Sequence, residues 1–215
     1  MQANAWSDHL CRLGKKNMPK VSRYHPMLVA LHWILAFLIV AALALGALVM
    51  VKIPNIDPAK LEALRSHMIG GAVILLLMLV RLVARAFTER PPAASTGSPI
   101  LDWLAWASHR LFYVAVIGMA GSGIVMGFQT DLPRVVFGHD GTLPVDFWVF
   151  PVRTVHYLFS RALMALIGLH LLGALYHTLI LKDGLLRRMF FGRRIHPAPG
   201  VTTTGRQPLP STVQP

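Results

Sequence analysis

Residues 154–181 read TVHYLFSRALMALIGLHLLGALYHTLIL, where the imidazoles of His156, His170 and His177 and the guanidinium of Arg161 interrupt an otherwise apolar run long enough to cross a bilayer. At about 1.5 Å per residue, His156 and His170 lie roughly 21 Å apart along a helix axis. Fourteen residues at about 100° each return to within about 40° of the starting direction, so both imidazoles lie on one seam. Hydrocarbon gives an imidazole no hydrogen-bond partner, and a seam carrying two of them must face the inside of a bundle.

The rest of the chain supplies that bundle. Of 215 residues, 54% are hydrophobic and 14% charged, where a soluble domain would carry charge on about a quarter of its residues. Three more apolar blocks, 28–51, 67–87 and 108–128, are of spanning length. The expected fold is therefore an all-α integral membrane protein, a four-transmembrane-helix bundle. Residues 1–20 read as an N-terminal extension, 21–190 as the four-helix domain, and 191–215, rich in Pro, Thr and Gly, as a disordered tail. Residues 52–66, 88–99 and 129–153 read as loops. Block 28–51 is too long for a cleaved signal peptide, and residues ahead of Met18 are expected to be dispensable, with Met18 a candidate start. The net charge of +12 is concentrated around the spans rather than on a folded polar surface, which argues against nucleic acid as a partner and for membrane lipid. A single cysteine, Cys11, excludes a disulfide framework and any cysteine-based metal or iron–sulfur site.

Lysine and arginine fix the expected orientation. Fifteen of them flank the side that holds both termini and the 88–99 connection, against five on the other side, where five acids balance them. Both termini should therefore be cytoplasmic.

Four histidines fall inside spans. His32 lies toward the inner face, His67 opens the second span at the outer face, and His156 and His170 repeat those two levels on the fourth. They make two pairs, His32 with His170 inside and His67 with His156 outside. Facing imidazoles across a bundle core are what bis-histidine ligation of two b-type haems requires. No C-x-x-C-H motif is present, so the haems would be held without covalent attachment. Gly46 follows His32, and Arg81 follows His67, by the same fourteen residues. Gly46 would leave room for the outer macrocycle, and Arg81 would meet propionates of the inner one. Hydrogen-bonded packing histidines or a proton relay are the plainer reading of the same residues. Zinc also takes imidazole, but two ligands per site leave it undercoordinated.

The stretches Arg23-Tyr24-His25-Pro26, Ala30-Leu31-His32-Trp33, Gly168-Leu169-His170 and Lys182-Asp183-Gly184-Leu185-Leu186-Arg187-Arg188-Met189, with the step from His67 to Arg81, together resemble the bacterial cytochrome b561 family. The resemblance covers roughly residues 18–189. It implies a bacterial inner-membrane, multi-pass protein with two haem b groups on His32, His170, His67 and His156. It further implies an oxidoreductase that moves electrons from a periplasmic-side donor to ubiquinone, with superoxide as the donor for members that act alone. The alternative is a cytochrome b membrane-anchor and electron-transfer subunit of a partner dehydrogenase or hydrogenase. A haem-free transporter would need polar residues along a continuous pathway, which these spans lack. Tyr176-His177-Thr178 departs from the family pattern, where relatives often carry a double histidine.

Two further sites are expected. A quinone needs an apolar slot, a donor for its carbonyls and a source of protons, and His109, Tyr176 and His177 are the polar residues expected near the inner haem. At the outer mouth, Arg153 and Arg161 would draw in superoxide, or Arg161 would pair with a propionate of the outer haem.

Overall fold

The computed structural model describes residues 22–138 and 140–193. The expectations for the N-terminal extension, the candidate start and most of the tail lie outside the described residues. Helix α1, Pro26–Ala44, continues through a π-helical turn, Leu45–Val49, and a 3₁₀ turn, Met50–Lys52. Then come α2, Pro58–Phe87, α3, Pro99–Gln129, the short α4, Leu132–Gly138, and α5, Pro151–Leu175, which runs into a second π-helical segment, Tyr176–Leu181. A 3₁₀ turn, Leu185–Met189, comes last. Among the described residues all regular structure is helical, and four helices are long and apolar enough to cross a membrane.

Proline decides where the four long helices begin. Pro26, Pro58, Pro99 and Pro151 each occupy the first turn, where a missing N–H costs nothing and the ring presets φ. Asp57 adds an N-cap, its carboxylate accepting the Ala59 N–H at 2.9 Å. As a result α2 starts well ahead of its apolar block, and much of the 52–66 segment expected as loop is helix. The 129–153 segment likewise holds α4 and a 3₁₀ turn, Phe147–Val149. These elements are too short for a hydrophobic period to announce them. What stabilises α4 is burial of Leu132 and Val136 against Leu64.

The four long helices run alternately up and down, α1 against α2 and α3 against α5, with α2 also meeting α3. Their buried interior is thin. A central layer of Leu35, Ile74, Met78, Ala115, Val116 and Leu163 lies between two smaller clusters at the ends. Large apolar side chains such as Phe37, Leu76 and Leu172 point outward, 72%, 61% and 67% exposed. That is the surface of a helix bundle whose solvent is lipid.

The two ends differ. At the terminal end, where the first and last described residues meet, Trp33 Nε1 donates to the Met189 carbonyl at 2.8 Å, Arg23 to the Arg187 carbonyl at 2.8 Å, and Arg188 to the Pro92 carbonyl at 2.9 Å. At the opposite, loop end, the buried Lys60 ammonium donates to the carbonyls of Met50 and Ile53 at 2.6 and 2.9 Å, satisfying backbone where the first span ends.

Gly118 shows how close α3 and α5 come. A Cβ built there would lie 2.3 Å from the Phe159 ring, whereas one at Gly121 would meet nothing within 4 Å. Gly118→Val should therefore destabilise the bundle by roughly 1–3 kcal/mol. Gly121→Ala should leave the thermal midpoint of the detergent-solubilised protein near the parent value, and equal midpoints for the two variants would refute this account.

Candidate functional site

The fourteen-residue step on α5 brings His156 and His170 to two levels of the bundle, and each meets an imidazole from another helix. His32 on α1 faces His170 with ring centres 6.2 Å apart and planes crossed at 70°. His67 on α2 faces His156 at the same 6.2 Å and 73°. The central apolar layer separates the pairs, and the His32 pair is nearer the terminal end. Two imidazole nitrogens each about 2 Å from one metal atom would hold their rings about this far apart.

The surroundings fit a large planar group with two axial ligands. A Cβ at Gly46, in the π-helical turn of the first span, would lie 3.8 Å from His67 Cε1, and one at Gly123 on α3 would lie 3.4 Å from His156 Cε1. Glycine on both flanks keeps the loop-end imidazoles clear of side chains. Buried His67 Nδ1 has no hydrogen-bond partner among the protein groups, so no bond within the protein fixes that ring. Among the described residues no group of three or more His, Cys, Asp or Glu is placed to hold a metal ion. The donor set therefore matches paired axial ligands rather than a zinc site, which takes three or four protein ligands.

Around the terminal-end pair, His109 packs against His170 at 5.7 Å between ring centres, Phe112 against the same ring at 5.6 Å, and Trp33 against His32 at 5.5 Å. Arg81 reaches this level as expected, its guanidinium donating to the Leu28 carbonyl at 2.7 Å, with its charge felt at both His32 and His170.

The expected acceptor-site residues do not form one cluster. His109 belongs with His170, its Nδ1 tied to the Ala105 carbonyl at 2.6 Å, while Tyr176 packs on His177 at 6.2 Å between ring centres. His177 is buried, and its Nδ1 is 2.6 Å from Asp183 Oδ2. The contact depends on backbone: Lys182 and Gly184 both adopt positive φ, 51° and 68°, turning the chain so that the carboxylate comes back over the π-helical segment. Asp183 Oδ1 also accepts the Leu185 N–H at 2.9 Å.

Arg153 and Arg161 separate as well. Arg153 stacks on Trp148, 4.5 Å from the ring centre, and its charge reaches both His67 and His156. Arg161 is exposed and lies over Tyr157, 5.0 Å from the ring centre. Five residues after His156 carry it about 140° around the axis, off the histidine face. The structure adds Ser122, Gly123 and Asp183, to which sequence reasoning assigns no role. The small-residue run Gly121-Ser122-Gly123 in an apolar span is the available signal for the first two.

A bundle of four membrane helices with imidazole pairs at two levels is the architecture of a membrane-bound b-type cytochrome. The model of the prokaryotic cytochrome b561 family matches residues 23–192, and the chain belongs to that family, whose members carry b-type haem. It is similar to a probable superoxide oxidase of Yersinia pestis, 25% identical over 178 residues that cover 80% of this chain and 98% of the relative. It is also similar to cytochrome b561 homolog 2 of Escherichia coli (strain K12), 26% identical over 175 residues, covering 78% and 90%. Four apolar helices and this family make it a bacterial membrane protein.

Burial pushes the Asp183 carboxyl up, but the bonds from His177 and the Leu185 N–H outweigh it and hold the group below the ordinary carboxylate range. A depressed folded value stabilises above the unfolded value of about 3.9 and is lost as pH falls through the folded one. Asp183→Asn should therefore lower the thermal midpoint at neutral pH and lose that deficit as the parent is acidified through its lowered folded value. A deficit unchanged by acid would mean that the carboxylate charge contributes nothing.

Proposed function

We propose that the protein is a di-haem oxidoreductase that takes electrons from superoxide at its loop end and delivers them to ubiquinone at its terminal end. The loop end would face the periplasm, and both termini the cytoplasm. The observation that carries this reading is the pair of 6.2 Å imidazole couples on two levels of one bundle. His67 with His156, and His32 with His170, would each hold one haem b, and Arg81 would pair with propionates at the terminal-end level. When bound, two such groups supply reversible one-electron chemistry at two depths of the membrane.

The remaining chemistry falls to side chains. Arg153, with the Lys60 ammonium at the same end, would draw a small anion toward the loop-end pair, whereas Arg65 is paired with Glu62 at 2.7 Å and Arg134 with Asp140. At the terminal end, with Nδ1 held by Asp183, His177 protonated on both nitrogens would donate Nε2–H to a quinone carbonyl, and the partly exposed Asp183 connects that imidazole to water. Tyr176 and His109 would border the site. The Yersinia relative, matched over 98% of its length and named a probable superoxide oxidase, supports a unit that acts without a partner subunit.

Haem content tests the ligands. Alanine at His32, His67, His156 or His170 should leave about one haem per chain, and two haems retained in any variant would remove that histidine from the set.

Activity of the purified protein tests the reaction. The protein alone should reduce ubiquinone with superoxide, Arg153→Gln should slow haem reduction and flatten its dependence on ionic strength, and His177→Leu should slow quinone reduction only. No quinone reduction by the parent would leave the anchor-subunit reading in its place.

A further inference from the structure

Ser122 lies on α3, 7% exposed, in the apolar middle of the protein. A buried hydroxyl has one proton to give. Its Oγ donates to the Met119 carbonyl at 2.9 Å, one turn back on the same helix. Its other contact is His156 Nδ1, at 3.0 Å. With Nε2 turned to a metal, the ring hydrogen sits on Nδ1, and Oγ, its own proton given to the Met119 carbonyl, is free to accept it. That is one tautomer, Nδ1–H with a bare Nε2 lone pair.

The opposing ring is held differently. His67 Nδ1 is buried without a partner, so nothing on the protein orients that imidazole through its second nitrogen. The loop-end pair is thus unequal: one ring is fixed in rotation and tautomer, and the other depends on what lies between them. Gly123, next in sequence to Ser122, also borders the His156 ring, where a Cβ would lie 3.4 Å from Cε1.

We propose that Ser122 is the positioning residue of the loop-end centre, presenting His156 Nε2 as an axial ligand and making it a stronger donor through the Nδ1–H bond. The inference rests on the haem reading of the His67–His156 pair. A ligand imidazole that gives up part of its Nδ1 proton is more basic and favours the oxidised metal. Ser122 would therefore keep the loop-end centre at a lower potential than it would otherwise have. That favours onward transfer to the terminal-end centre, while reduction by the donor keeps a smaller driving force. The device costs no charge inside the membrane, which a carboxylate in the same place would.

The test uses the haem-loaded protein in detergent, with Ser122→Ala and Ser122→Thr. Redox titration followed in the visible spectrum should show one of two steps moved to more positive potential in Ser122→Ala. A tenfold change in the ferric-to-ferrous preference would read as about 59 mV. The electron paramagnetic resonance signal of that ferric centre should move with it, and Ser122→Thr, which keeps the hydroxyl, should return both to parental values. Loss of one haem in the alanine variant with retention in the threonine variant supports the same role. Unchanged potentials in Ser122→Ala, or identical behaviour of the two variants, overturn it. His156→Ala separates this from the underlying reading: two haems retained there would refute the ligand assignment, whatever Ser122 does.

Discussion

An imidazole in hydrocarbon has no water to bond, and that constraint organises the bundle. Four histidines inside spans are tolerable only if each points inward and meets a partner. The helices meet this by bringing them together in twos, with an unbroken layer of Leu35, Ile74, Met78 and Leu163 between the levels. Because the interior is given over to rings, the ordinary buried core is thin, and the large aliphatic side chains face outward. Such a bundle would be a poor soluble domain. In lipid the outward face is solvated by chains as apolar as itself, and packing of small residues such as Gly118 against Phe159 takes over the work of holding helices together.

Where the helices depart from regular α geometry, they do so beside side chains of the two proposed sites. The π-helical turn of the first span carries Gly46 against His67, and the π-helical segment after α5 carries buried His177. A π turn inserts a residue and re-aims the side chains beyond it, which is why such turns gather at sites. In the second case the re-aimed residue is then held by a carboxylate brought back through two positive-φ residues. Those backbone conformations carry a cost, small for Gly184 and higher for Lys182, and the His177–Asp183 contact is what offsets it.

How much of this is legible without coordinates depends on the range of the signal. Four spans and the pairing of histidines can be read because helical periodicity carries a residue's direction over many turns, so His156 and His170 have to share a face. The same arithmetic, applied to Arg161, places it off that face, and direction is a better guide there than the cost of burying a guanidinium. Helix starts escape a hydrophobicity reading because proline at the first turn sets them. Ser122 and Asp183 are hidden for different reasons. Ser122 is one hydroxyl among apolar residues, and only the arrival of α5 beside α3 gives it a partner. Asp183 sits just past the membrane segment, where a carboxylate is ordinary until the turn through Gly184 folds it back.

The two ends of the bundle also divide the electrostatics. At the loop end, cations are mostly held locally: Lys60 on backbone carbonyls, Arg65 on Glu62, Arg134 on Asp140. Arg153, stacked on Trp148, leaves its charge directed at the nearby imidazoles, and among the described residues no carboxylate pairs with it. Hydrogen bonds to neutral carbonyls leave the Lys60 ammonium its charge, so at this low-dielectric wall it adds to the field of Arg153. At the terminal end the arginines instead tie backbone together, Arg23 and Arg188 each bonding carbonyls far away in sequence. Among the described residues arginine thus closes the structure at one end, while at the other Arg153 lies against Trp148 with no carboxylate beside it.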